Sequence, residues 1–199
     1  MKMNLFAVRP QAWISWRINM KAILCFATIG FLALATNGNA QDSKKEPTKA
    51  EMTNAWYMVQ NLHCPLCSTT LEDSLKKVAG IKSVSVNINM KSANINFDEK
   101  VISAQELARA MSQTAHAMGP KEHYGAMLVL SVPDAKDKAT GAKAVAALKK
   151  VAGVANVTFY PQPKTVGIQF ADKGKVTSAD LISALEKEGI KGSQFAVKK

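Results

Sequence analysis

Cysteine is scarce, with three residues in a chain of 199, and one of them, Cys25, sits apart in an apolar run near the N-terminus. Cys64 and Cys67 are too close for a disulfide between them to staple a fold, so a disulfide scaffold is excluded. Aromatic residues make up 7% of the chain. They form no patch interleaved with basic side chains, which argues against nucleic-acid binding. There is no Ser/His/Asp arrangement, no paired catalytic carboxylates and no phosphate-cradling glycine loop, so the chain is not expected to be an enzyme. An apolar run long enough to span a membrane is also missing. The uncharged stretch from Ala22 to Ala35 falls short of the roughly 20 residues a spanning helix needs.

What is present is ordinary for a globular chain: 47% hydrophobic and 21% charged residues, enough for one medium domain or two small ones. Residues 1–40 read as a signal peptide. Lys21 precedes the apolar run, and Gly38, Asn39 and Ala40 supply small residues ahead of a cut near Ala40, giving a periplasmic or secreted product. An uncleaved membrane anchor is the alternative, and Met20 is a second candidate start. Residues before Cys25 lack the small side chains of a lipoprotein signal. The segment holds four of the 26 basic residues and no acid, so the remainder carries 22 bases against 15 acids, or +7. Residues 41–53, rich in lysine and without apolar pattern, read as a flexible tether.

The rest of the chain repeats itself. Leu75-Lys76-Lys77-Val78-Ala79-Gly80 returns as Leu148-Lys149-Lys150-Val151-Ala152-Gly153 at an offset of 73, which also relates Val84 to Val157, Ile95 to Ile168 and Phe97 to Phe170. One added residue then relates Leu107 to Leu181 and Met111 to Leu185. Each copy opens on alternating apolar residues, Tyr57 and Val59 or Leu128, Leu130 and Val132, a strand with one buried face. A helix follows with Leu71, Leu75 and Val78 on one stripe, ended by Gly80 as Gly153 ends its counterpart. Val84, Val86 and Ile88 with Ala93, Ile95 and Phe97 predict a hairpin. A second helix runs over Ser103 to Thr114 from a capping-box-like start, and a short strand near Gly119 to His123 closes the copy. The order is strand, helix, strand, strand, helix, strand. The fold class is therefore α+β, two tandem ferredoxin-like βαββαβ domains over residues 54–124 and 125–199. With almost no spacer, the two should be held close.

Cys64-Pro65-Leu66-Cys67 falls between the first strand and first helix. Free backbone amides and the helix N-terminus favour negative charge there, which lowers thiol pKa. Two thiolates converging on one ion select copper(I), mercury(II), cadmium or zinc over hard cations.

These residues resemble the heavy-metal-associated domain family, modules found in copper chaperones, metal-transporting ATPases and periplasmic mercuric-ion-binding proteins. The resemblance covers Trp56 to His123 and, more loosely, Ala126 to Val197. Members usually carry Gly-Met-x-Cys-x-x-Cys; here Asn61 and Leu62 stand where Gly and Met would be, and Leu62 can take the methionine's supporting role. The resemblance implies copper(I) as the first metal. It also implies a non-enzymatic carrier or buffer that passes its ion on by ligand exchange, with a membrane metal transporter or acceptor protein as partner. A residue from the loop after the second helix approaches the metal in the family, which puts His116 forward as a third, nitrogen ligand; the alternative is a helix-end histidine. His63, beside Cys64, is a lesser candidate expected to face solvent, and His123 ranks below it. In the second copy Asp137 and Thr140 replace the cysteines, so that copy is expected to be a degenerate scaffold, with ten bases against six acids from Ala126 to Val197.

A thiol-disulfide oxidoreductase is the rival reading, because Cys-Pro-x-Cys also occurs in disulfide-exchange proteins. The thioredoxin-like fold needs a longer unit, and the 73-residue duplication suits it poorly. A sensor or adhesion-type module using the double domain for contact is the third.

Overall fold

The computed structural model describes residues 52–197. The expected signal peptide (1–40), Cys25 and the tether up to residue 51 lie outside the described residues. The first repeat runs β1 (Met52–Gln60), α1 (Pro65–Leu75), β2 (Ile81–Asn87), β3 (Ser92–Asp98) and α2 (Ala104–Gln113). The second runs β4 (Gly125–Ser131), α3 (Lys138–Lys149), β5 (Val154–Tyr160), β6 (Thr165–Phe170), α4 (Ser178–Lys187) and β7 (Ser193–Gln194). β1 starts at Met52, two residues inside the expected tether.

Local chemistry sets these boundaries. α2 begins on a complete capping box, in which the Ser103 side chain accepts from the Glu106 amide while the Glu106 carboxylate accepts from the Ser103 amide. α4 repeats the device with Thr177 and Asp180. α1 stops at Leu75, earlier than its apolar stripe implied, and Val78 lies in the turn that follows. Gly80, at φ +89°, lets that turn enter β2 through a left-handed conformation costly to other residues.

All sheet neighbours are antiparallel, in the order β2-β3-β1-β4-β6-β5, with β7 attached to β4. Two ferredoxin-like repeats are thus fused into one sheet. The strand expected at Gly119 to His123 does not form. Pro120 lacks a ladder donor and the segment has no alternation, so it stays a loop. β4 closes the first repeat instead: Gly125–Val129 pair with Gln60–Trp56 of β1. It also opens the second, where Leu128–Ser131 pair with β6. Because β1 holds most of that edge, β7 finds room to pair only at Leu130 and Ser131. Met127 to Leu130 are all buried, as an interior strand covered on both faces requires.

One apolar cluster draws on all four helices, through Leu71, Met111, Leu148 and Leu181 among others, and on alternate strand residues such as Tyr57, Ile95, Leu128 and Ile168. The helices therefore share one face of the sheet. On the other face Trp56 meets Phe195 edge-on at 5.8 Å.

Gln105 ties the repeats together. Its amide, 1% exposed, donates to Ala171 O (2.7 Å) and Lys173 O (3.0 Å) and accepts from the Val176 N–H (3.1 Å). A Cβ at Gly153 or Gly174 would run into it. Of these partners the Val176 N–H is the buried one, and leaving a buried polar group unmatched costs about 1–3 kcal/mol. Gln105→Ala should therefore lower the unfolding free energy by about 1–3 kcal/mol, read by urea denaturation, with both repeats melting in one transition.

Candidate metal centre

The turn from β1 into α1 begins at Asn61, whose φ of 61° is left-handed. Asparagine tolerates that conformation, which accounts for its standing where the resembling family has glycine. Its side chain donates to His123 O at 2.7 Å. Leu62, fully buried, plugs the loop from beneath, the supporting role expected of it.

Cys64 is the N-cap of α1 and Pro65 its first residue, a place where the missing proline N–H costs nothing. Cys64 Sγ accepts the Cys67 N–H at 2.9 Å. The two sulfurs meet: Cys64 and Cys67 are joined as a disulfide, with Cα atoms 5.1 Å apart. Cys64 is partly exposed and Cys67 buried, so the pair opens to solvent on the Cys64 side.

His116 lies in the loop after α2, against the cysteine loop. Its ring is 6% exposed, its Nε2 lies 3.0 Å from Asn61 O, and its Nδ1 accepts the Met118 N–H at 3.2 Å. These partners assign the proton to Nε2 and leave neither nitrogen a free lone pair, so in this arrangement His116 holds the loop rather than offering a ligand. His63 is exposed, its ring 5.7 Å from that of His116. His123 contributes its carbonyl, to Asn61, and no group of three or more His, Cys, Asp or Glu side chains converges as a metal set among the described residues.

Sequence reasoning missed Tyr124. Its ring packs 4.5 Å from His116 and its hydroxyl, buried, donates to Cys67 O at 2.9 Å. Burial pushes its phenol pKa up, so it remains a donor. Nothing local marks this residue, since its partner is 57 positions away.

The second repeat shows the same cap with different chemistry. Asp137, offset by 73 from Cys64, is the N-cap of α3 and accepts the Thr140 N–H at 2.6 Å, as Cys64 accepts that of Cys67. That amide, with smaller help from the Thr140 hydroxyl, holds the Asp137 carboxyl below its usual pKa. The loop therefore favours negative charge on its capping side chain. Ala135 replaces Leu62 and Ile190 replaces His116, so the surroundings of the pair are not repeated.

Among solved structures, the soluble region of the P-type ATPase CopA from Bacillus subtilis is similar at 19% identity over 73% of this chain and 93% of that one, with a TM-score of 0.38. Oxidized MerP from Ralstonia metallidurans CH34 is similar at 22% identity over 39% of this chain and 96% of that one, with a TM-score of 0.34. The copper chaperone CopZ of Enterococcus hirae is 25% identical over 60 residues, 30% of this chain and 87% of that protein. Residues 57–116, from the middle of β1 to the histidine behind the cysteine loop, match the family model of the heavy-metal-associated domain, and this stretch of the chain is such a domain.

Proposed function

We propose that this protein is an exported, non-enzymatic carrier or buffer of a soft metal ion. Copper(I) is the first candidate and mercury(II), cadmium and zinc are the others. The reduced thiolates of Cys64 and Cys67 hold the ion, which passes by ligand exchange to an acceptor such as a membrane metal transporter. The observation that carries this reading is the meeting of two sulfurs at a helix N-cap, one of them open to solvent. Asp137 supports it, because the same backbone arrangement lowers the pKa of an acid there and would favour thiolate at Cys64. The similarity to a protein named as a copper chaperone favours copper over the rest.

In this reading residues 1–40 direct export, 41–53 tether, 54–124 bind metal, and 125–199 form a repeat without ligands. Export places the protein in the periplasm or outside the cell, where the pair needs reduction before it can bind.

Titration of the anaerobically reduced protein with copper(I) against bicinchoninate tests this: one ion per chain is expected. Equal uptake after both thiols have been alkylated with iodoacetamide would overturn it.

The disulfide favours a second reading, a thiol-disulfide exchange module with Cys64 as the attackable sulfur. Turnover in an insulin-reduction assay, with no copper(I) retained by the reduced protein, would select it over the carrier.

A further inference from the structure

β2 and β5 are the two outer strands of the sheet, and an outer strand presents unpaired backbone groups to any extended chain that can reach them. The two repeats treat this exposure differently. β2 carries a charge, Lys82, and Glu72 of α1 reaches over its rim: one carboxylate oxygen accepts the Val86 N–H at 3.3 Å and the other lies 2.7 Å from Lys76 Nζ. The Val86 amide therefore faces away from β3, as alternate residues of an outer antiparallel strand do. β5 repeats the register, Phe159 facing Val166 as Val86 faces Ala93, so the N–H and C=O of Phe159, and of Val157 two residues before it, point outward too. The acid is not repeated. At the offset of 73 the counterpart of Glu72 is Val145. β5 has no charged residue, and among the described residues no side chain covers its amides as Glu72 covers that of Val86. Lys149, the counterpart of Lys76, is exposed and makes no ion pair among the described residues. α3 carries Lys138, Lys143 and Lys149 and no acid. Gly141, one turn before Val145, lies against the Phe159 ring, which fixes that side of α3 as the one over β5. Lys149, one turn past Val145, and Lys138, two turns before it, stand on the same side.

We propose that β5 is a docking edge for an extended acidic segment of a partner protein. The segment adds as a further strand, pairs its backbone with Val157 and Phe159, and sets an aspartate or glutamate against Lys149. The lost carboxylate decides the chemistry of the partner. Its absence leaves an outward amide open and a lysine without its acid, so a strand that brings both a backbone acceptor and a carboxylate answers the two together. A second copy of this chain fits less well, since β5 against β5 supplies no acid and brings the lysines of two α3 helices near one another. The edge belongs to the second repeat and does not depend on the cysteine pair.

The probe is a capped heptapeptide of alternating valine and glutamate, titrated into the whole chain at about 0.15 M salt, with lysine in place of glutamate in the control peptide. Backbone hydrogen exchange should slow at Val157 and Phe159 when the glutamate peptide is added and stay unchanged at Val86. Val145→Glu gives the second repeat the acid that the first already carries, so the variant should fold. It should lower peptide affinity about tenfold or more, by capping the Phe159 amide and repelling the peptide. Lys149→Glu should lower it about tenfold, whereas Lys143→Glu, the same charge change on the far side of α3, should stay within about threefold. No binding, binding without slower exchange at Val157 and Phe159, undiminished binding by Val145→Glu, or equal losses in the two lysine variants would overturn the proposal. Concentration-dependent dimerisation of the unaltered chain that Val145→Glu abolishes would also overturn it, by giving the edge to a second copy.

Discussion

On the proposed function, changing Cys64 and Cys67 together to serine should lower copper(I) affinity by about ten-thousand-fold and leave the protein folded. The size follows from ligand count. Structural zinc(II) sites of thiolate and imidazole ligands are worth roughly 10–16 kcal/mol over four ligands, or about 3 kcal/mol each, and the same share per thiolate is taken for copper(I). Two lost ligands then remove about 6 kcal/mol, at about 1.4 kcal/mol per tenfold. Serine keeps the N-cap at position 64, where a hydroxyl accepts the amide that Cys64 Sγ accepts now, so α1 should still start at Pro65. The buried change at Cys67 should cost stability modestly, since it swaps a fully buried thiol for a hydroxyl of similar size. Competition titration read beside circular dichroism checks both halves. Affinity within tenfold of the unaltered protein, with the fold intact, would place any metal site elsewhere.

The second large effect is a gain. Asp137→Cys with Thr140→Cys should raise copper(I) binding from one ion per chain to two. The second repeat already provides the geometry: Asp137 caps α3 through the Thr140 amide, as Cys64 caps α1 through that of Cys67. It also provides the electrostatics, since the cap lowers the pKa of the acid that stands there. The new site should bind more weakly than the first. Asp134, offset by 73 from Asn61, is not left-handed, and Ile190 stands where His116 props the first loop. Stoichiometry from titration under reducing conditions decides. A ratio still at one would mean that the cap alone does not make a site and that the props around the first loop are indispensable.

The position of the cysteine pair at the start of α1 was legible in the sequence because it depends on neighbours in the chain: cysteines three apart at a strand-to-helix junction, with proline at the first helical position. The role of Asn61 was half legible. Its position in the motif showed that a glycine was missing, but its left-handed backbone and its bond to His123 appear only in three dimensions. For His116 the resemblance pointed to the loop beside the cysteines, and what its ring nitrogens face appears only in three dimensions. Whether an imidazole has a lone pair to offer depends on what its nitrogens face, here Asn61 O and the Met118 N–H.

By itself, the sequence determined the strand and helix order of both repeats except the strand expected at Gly119 to His123, the capping box at Ser103 and Glu106, the core stripe through Leu71 and Leu75, and the placing of two sulfurs in one turn. These follow from periodicity and capping, which act over a few residues. Only the tertiary structure decided that β4 belongs to both repeats, that β7 shrinks to two residues, that Gln105 locks the halves and that Tyr124 reaches Cys67. Each of these is the outcome of a competition between distant segments for the same strand edge or the same buried carbonyl, and local alternation carries no record of which segment wins.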